Sequence, residues 1–558
     1  MPEILKHKKF KWLLILIGLL LVSLFSLNLI IEKAVKDYID NELSFISQKG
    51  YYSLAISDVD VEIFEGDVKV LGFVAEPTES SKTQFQEGTY HKDILGLLKV
   101  NSLELEGLDV FDILFKDELT INTIFLDKID FKVSKSNSLQ NLQTSASKDL
   151  PGFSFDSIRL PGLKKINLNR LEVGNYSLTN LDFNTKDTLA SVRGKQFTIT
   201  GLRLQILDAN KGYFKLDHKD LEFSLNDQQF KLEDGLYDAS FEGLNYNVDN
   251  NEILLTNILY EPVSGNTEFS SRFKYSYLKH TLKIDTLYVY DIDLESLLQS
   301  AVLDIGFIDI KSMAVSLTRD MTKPYDKTAI EPLPLEMLQN LKQPVYIDKL
   351  QFENTTFKYN EILPDKTKTI SVQIDDANGK IEHITSIPNK LYAKENLRVS
   401  VNGRLLNTLT TTLEVEIPYR SPDKSFFISG STTGISDFEK LNPVAYPATG
   451  ILFKNGSLDG MSFEITCNED KAKGELIMLY SDLEVEISKK DKTKQNTKTW
   501  LANTLAKKNN PNKSGKVLAA EINFKRVKYK DILDYVFKSV RTGIINIIIP
   551  GGKKYVKE

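Results

Sequence analysis

Five histidines, His7, His91, His218, His280 and His383, are the side chains of this sequence best suited to acid-base or metal chemistry, and they lie far apart. None stands in an H-E-x-x-H arrangement or at a paired ligand spacing, so surface or loop positions are expected for them. Two carboxylate pairs, Asp58 with Asp60 and Asp291 with Asp293, are spaced i, i+2. On a strand that spacing puts both groups on one face, as a glycosidase pair or a cation site would need. A solvated strand face produces the same pattern, and that is the reading adopted. "GSTTG" at 430–434 places Thr where a nucleophile elbow carries its serine, and it reads as a turn. The single cysteine, Cys467, excludes an internal disulfide framework and a multi-cysteine metal site, and fits a small buried hydrophobe. No glycine-rich phosphate loop occurs. The expectation is a protein that is not an enzyme, with no catalytic residue, no metal and no cofactor.

The elements that would position any site are mostly strands. In "GELIMLYSDLEVEISKK", Ile477, Leu479, Leu483, Val485 and Ile487 fall on odd positions while Asp482, Glu484 and Glu486 fall on even ones. That alternation predicts a strand with one apolar and one wet face. Ile121, Phe125, Ile129 and Phe131 alternate in the same way, as do Leu282, Ile284, Tyr288 and Tyr290. Short turns such as "DNNE" and "KNGS" separate the strands, which predicts an antiparallel meander. The strand-turn-strand recurrence shows no fixed period.

Three polar stretches interrupt this pattern: one from residue 136, a Pro-rich one at 322–344, and a Lys/Asn-rich loop at 489–516. The middle one is read as a linker between a β-rich region at 50–321 and a second at 345–526. Beyond it, in residues 527–558, an amphipathic helix is expected to gather Ile532, Leu533, Val536, Phe537, Val540 and Ile544 on its apolar side. Lys530, Lys538 and Arg541 would form the polar side. Such a helix either caps the open end of the sheet or lies on a membrane, and the cap is the reading adopted.

With 558 residues the chain exceeds one ordinary core, and a net charge of -6 gives no footprint for nucleic acid. Residues 12–31 contain no charged side chain and match the length needed to span a bilayer, with Trp12, Leu16, Leu20, Phe25 and Ile31 among the anchor residues. A basic tail at 1–11 precedes this run and a juxtamembrane helix is expected at 32–49. The excess of lysine before the span places the N-terminus in the cytoplasm and the bulk of the chain outside. The expected location is therefore a bacterial inner membrane, crossed once, with the body in the periplasm.

The succession "YPATGILFKNGSLDGMSFEITCNEDKAKGELIMLYSDLEVEI", then a polar loop, a strand and "YKDILDYVFKSVRTGI", resembles the end of the AsmA-like proteins of bacterial envelopes. "LPLEMLQNLKQPVYIDKLQFENTTFKYNEI" and the anchored N-terminus are similar to that family as well. The resemblance covers most of 320–545 and the remainder more diffusely. It implies kinship with TamB and the bridge-like lipid-transfer proteins, whose long antiparallel sheet curls into an apolar groove, and it brings no catalytic residues. On that implication the three alternating sets named above become candidate lipid-facing groove residues. The partners would be membrane phospholipids, the inner membrane and outer-envelope proteins, with passive lipid conduction or support of envelope assembly as the function. The alternative is a structural or assembly factor in which the same residues form closed β cores.

Overall fold

The computed structural model describes residues 50–549 apart from 63–64, 91–93, 110–111, 113–114, 136–163, 209–212, 218, 233–234, 365–368, 388–395, 491–497 and 502–505. The basic tail, the anchor with Trp12, Leu16, Leu20, Phe25 and Ile31, and the juxtamembrane helix lie outside the described residues. Among the described residues no helix is long and apolar enough to cross a membrane. The fold is mainly β, and it divides between Asn251 and Glu252 into two compact units. Residues 322–344, expected as the boundary, lie inside the second unit instead.

The first unit carries β1 (Tyr52–Ala55), β2 (Asp58–Glu62), β3 (Asp67–Pro77), helix α1 (Glu79–Gln86), β4 (Ile94–Glu106), β5 (Glu118–Lys135), β6 (Lys165–Asp182), β7 (Thr188–Asp208), β8 (Tyr213–Asp217), β9 (Glu222–Lys231) and β10 (Tyr237–Asn247). Thr78 caps α1, its hydroxyl accepting from the Ser81 amide. The second unit carries β11 (Glu252–Pro262), α2 (Asn266–Ser271), β12 (Leu278–Ile292), α3 (Leu294–Ser300), β13 (Leu303–Asp320), α4 (Pro334–Gln339), β14 (Val345–Ile362), β15 (Thr369–Thr385), β16 (Leu397–Leu405), β17 (Leu409–Ile417) and β18 (Phe426–Ile435). It continues with a 3-10 turn at Phe438–Leu441, α5 (Asn442–Thr449), β19 (Ile451–Cys467), β20 (Lys471–Lys490), β21 (Lys498–Leu501), β22 (Ala519–Lys525) and α6 (Ile532–Ile548).

The expected purely antiparallel sheet is corrected at one place in each unit. β5 pairs with β6, and β13 with β14, in parallel. A parallel pair needs a long crossover, whereas a tight turn gives only antiparallel neighbours. The Pro-rich stretch, read in the sequence as an interdomain linker, is the crossover from β13 to β14.

A repeat emerges that the residue types concealed. β3 and β11 each have 11 residues, and β5, β6, β13 and β14 each have 18. In each unit the 11-residue strand is followed by a short helix bearing a buried phenylalanine, Phe85 on α1 or Phe269 on α2. After the next strand comes an aspartate that accepts an amide three residues on: Asp109 from Asp112 and Asp293 from Ser296. "LKVNSL" in β4 answers "LKIDTL" in β12. The two units are copies of one succession, strand, helix, strand, turn, strand, parallel strand, strand.

Both copies also break their ladders at equivalent places. In the first unit pairing skips a line through Gly72, Asn101, Asp127, Gly174 and Gln196, and in the second a line through Asn257, Asp285, Ser312 and Asn354, ending at Asp376. Gly72, Gln196, Asn257, Ser312, Asn354 and Asp376 hold φ between +49° and +63°. Glycine, asparagine and aspartate tolerate that region best, which explains the composition of the lines. Side chains bridge along them, as from Asn354 Nδ2 to Ser312 Oγ at 2.9 Å.

Each break changes which alternate residues face the apolar side. In β14, Phe352 precedes the line and Phe357 follows it, an odd separation that a regular strand would send to opposite faces. Their rings meet edge to face at 5.7 Å. In β12 the buried apolar residues are accordingly Ile284, Val289 and Ile292.

In the second unit the apolar side of β15–β20 and β22 is covered by α4, α5, α6 and the 3-10 turn, making a dry core around Phe426, Leu476, Tyr480, Leu483 and Ile522. The last helix forms as expected but seats differently. Its buried side carries Tyr535, Ser539, Thr542, Gly543 and Ile545, while Leu533 and Phe537 are 44% and 48% exposed. Close approach selects the small residues: a methyl at Gly543 would lie 2.9 Å from Leu476 Cβ. Lys538, assigned to the wet side, is buried. α6 covers the face of β20 and the last strand, β22, and Asn546 Nδ2 donates to the Glu521 carbonyl of β22 at 3.0 Å.

Candidate functional site

Pair registers sort the expected groove residues onto two different faces, because directly opposed residues in a ladder point the same way. In β5, Ile129 stands opposite Val100 and Tyr176, and Phe131 opposite Leu98 and Leu178. Ile121 is buried and pairs with Leu168. These three belong to an apolar surface that continues through Val192 of β7 to Phe230 of β9. Phe125 stands instead opposite Glu104 and Glu172, on the charged face where Lys69 pairs with Glu104 at 2.8 Å. Simple alternation places it in the apolar set because it does not register the break at Asp127.

The second unit divides its set likewise. Leu282 and Ile284 face Val315 and Met313 on the apolar side. Tyr288 faces Asp309, and Tyr290 stacks on Phe307 with ring centroids 5.6 Å apart, under the Lys349 ammonium 5.2 Å from the Phe307 ring. Both tyrosines thus lie on the charged side.

β20 shows the same division. Leu483 and Val485 are in the dry core. Ile477 sits opposite Ser462 and lines a trough with Glu464 and Glu475, and Leu479 pairs with Gly460. Asp482, at φ +51°, lies between the two pairs and changes the side. Ile487 pairs with Ile451. The five residues therefore do not share a face.

Two surfaces result. Among the described residues the apolar one in the first unit has no clustered dry core like that of the second, and Leu178 there is 43% exposed. The charged one in the second unit forms an open trough of about 770 Å³ across β15–β20, lined by Lys380, Arg398 and Lys473 among Glu382, Glu414 and Glu416. Replacing Phe125 by threonine is expected to change stability by less than about 0.5 kcal/mol, while Ile121→Thr costs about 2 kcal/mol. Thermal unfolding of the full chain checks both.

The candidates for chemistry take structural places. Asp58 and Asp60 are exposed on β2. Asp291 occupies a left-handed position at φ +55° and Asp293 caps α3. "GSTTG" is part of β18 rather than a turn, because its glycines admit neighbouring groups such as the Phe463 ring. Cys467 is fully buried, and burial pushes its thiol up to about 12. His7, His91 and His218 lie outside the described residues. His383 lies in β15 near Asp348. His280 is in β12, half-buried, so both described histidines lie on strands and neither in a loop, and both are partly exposed. Among the described residues no group of acids, histidines or cysteine is arranged to hold a metal.

Alternation also missed an ionic cluster where β13 and β14 meet α6. Arg319 is 7% exposed and donates to Asp531 Oδ2 at 2.5 Å. Asp531 also caps α6, its other oxygen accepting from the Asp534 amide at 2.8 Å. Asp534 holds Lys538 at 3.1 Å and Lys530 at 3.6 Å. Burial disfavours the Arg319 cation, but Asp531 and the neighbouring Tyr325 and Tyr359 outweigh it and hold its pKa above the ordinary value. Burial first, and then Asp534, pushes the Glu361 carboxyl up. Burial pushes Lys538 down to about 8. The signal available in the sequence was a charge on the apolar parity of two strands, Arg319 after Leu317 and Glu361 after Tyr359. Compared with models of protein families and with curated proteins, the sequence matches none.

Proposed function

We propose that this chain is an AsmA-like protein of the bacterial envelope, anchored once in the inner membrane, whose periplasmic body binds phospholipid acyl chains and passes them passively or supports outer-membrane assembly. The observation that carries the reading is the apolar face of the first unit, continuous across β4–β7 and backed by a charged face. Exposed apolar patches of this kind mark binding surfaces in soluble bodies. Each methylene taken from water there contributes about 0.8 kcal/mol, so an acyl chain needs no polar recognition to be held. In the first unit acyl chains would lie on Ile129, Phe131 and Leu178, with headgroups kept at the wet edge of the face. No reaction is assigned, and lipids, not nucleic acid, are the partners.

A second reading has its own support. The dry core under α4–α6 is closed, as a structural or assembly factor that binds envelope proteins would have it. Native mass spectrometry with lipid extraction, on the full chain released from membranes in mild detergent, separates the two. Several phospholipids per chain are expected, with fewer on Ile129→Asp and an unchanged number on Phe125→Asp. A folded chain that carries no lipid beyond the detergent-exposed anchor's share, the same in both variants, would overturn the lipid reading in favour of the second.

A further inference from the structure

The ionic cluster joins three strands to one helix. His280 of β12 and Arg319 of β13 face it, and β14 supplies Tyr359 and Glu361. Tyr325 enters from the crossover, its ring 5.1 Å from the Lys530 ammonium and 5.4 Å from the Arg319 guanidinium carbon. Lys530 precedes α6, Asp531 caps it, and Asp534, Lys538 and Arg541 stand on it. The far end of α6 is held differently, by Ile545, Ile547, Ile548 and Ile549 in the dry core. Tyr535 lies in that core as well, with Ile532, Val536 and Val540 packed against it, so charge is added to apolar packing at the first end while the far end is seated by apolar packing.

We propose that the seat of α6 on β13 and β14 is a proton-set latch, tightened when buried Lys538 loses its proton. Lys538 has two anionic neighbours, Asp534 and Glu361, but these also serve Lys530 and Arg319, so its ammonium is incompletely compensated. Burial lowers its pKa from 10.5 to about 8 in the seated state. A released helix binds that proton more tightly, so seating strengthens as pH rises from about 8 towards 10.5 and gains nothing from this group below about 8. Burial, then Arg319, lowers the His280 pKa from its ordinary 6.5. Both causes lie within the sheet, Arg319 being on β13, so no change in seating is assigned to it. Glu361, raised by burial, acts in the opposite sense to Lys538 on the acid side. Tyr325 and Tyr359 are pushed well above their ordinary range by burial and stay neutral throughout. The alkaline arm is thus the cleaner signature.

Pulsed hydrogen exchange on the full-length chain reads this directly, with protection corrected for the intrinsic pH dependence of exchange. Peptides within 532–542 are expected to gain about tenfold in protection between pH 7.5 and 9.5, the ratio that follows from about one unit of a discounted shift. Peptides at 545–549 should stay level. Lys538→Met should show the high protection already at pH 7.5 and no alkaline gain, since it removes a buried charge without removing volume. Equal protection of 532–542 at both values in the wild type would overturn the latch. So would an alkaline gain that survives in Lys538→Met, or a gain of the same size at 545–549, which would mark a global change.

Discussion

Deletion of Asp482 is expected to destabilise the second unit by roughly 5 kcal/mol, more than any side-chain truncation at the same place. The residue stands in β20 with φ +51°, where the strand exchanges the side on which alternate residues fall. Before it, Leu476, Met478 and Tyr480 enter the dry core; after it, Leu483 and Val485 do. Without it, either Leu483 and Val485 or the preceding set must turn to the charged face. Leu483 is 1% exposed, so the loss is close to the full transfer term for both side chains. Asp482→Gly keeps the chain length and the left-handed conformation, and should cost less than about 1 kcal/mol. Calorimetry that follows the unfolding of the two units separately would show the transition of the second unit falling in the deletion and nearly unmoved in the substitution. Equal effects would mean that the residue matters for its carboxylate and not for its backbone.

Arg319→Leu should cost about 3 to 5 kcal/mol, because it leaves Asp531 and Glu361 against an apolar surface without their buried cation. Asp531→Ser removes the partner but retains an oxygen able to cap α6, so its cost should be smaller than that of Asp531→Ala by about 1 kcal/mol. Combining Arg319→Leu with Asp531→Ser should destabilise by clearly less than the sum of the two, with a coupling of at least about 1 kcal/mol. Denaturant unfolding of the four chains closes the cycle. Additive losses would show that the pair is no more than two neighbours.

Strand identity was legible because alternation survives in the runs between breaks. The same alternation misled wherever a stripe was carried across a break: Ile129 and Phe131 were grouped with Phe125, Leu282 and Ile284 with Tyr288 and Tyr290, and Leu483 and Val485 with Ile477 and Leu479. A single left-handed residue contributes one letter, often Asn or Asp, and those letters also serve turns and solvated faces. The parallel pairs were hidden for another reason. A crossover is recognised by its length, but a long polar or Pro-rich stretch between two strand-rich regions reads equally well as a linker. For α6 the helical period was plain, and Ile532, Val536, Val540 and Ile544 pack against the core as expected, but the contact side is turned towards Ser539, Thr542 and Gly543, whose size suits close packing on β20 and β22, and away from Leu533 and Phe537. The ionic cluster depends on residues more than two hundred positions apart, Arg319 and Asp531, which no local pattern relates.

The lines of skipped pairing bear on how two copies of one unit can diverge. Asp127 and Ser312 occupy the same ordinal place in β5 and β13, and Gly174 and Asn354 the same place in β6 and β14, although none of these residue types agree. A substitution at such a place is absorbed locally. An insertion or loss of one residue is not, because it would carry that strand's break past those of its neighbours on both sides and reverse its apolar stripe beyond the point of change. Strand length is then constrained more strictly than residue identity. The likeness of the two units is accordingly carried by the counts 11 and 18 more than by the letters.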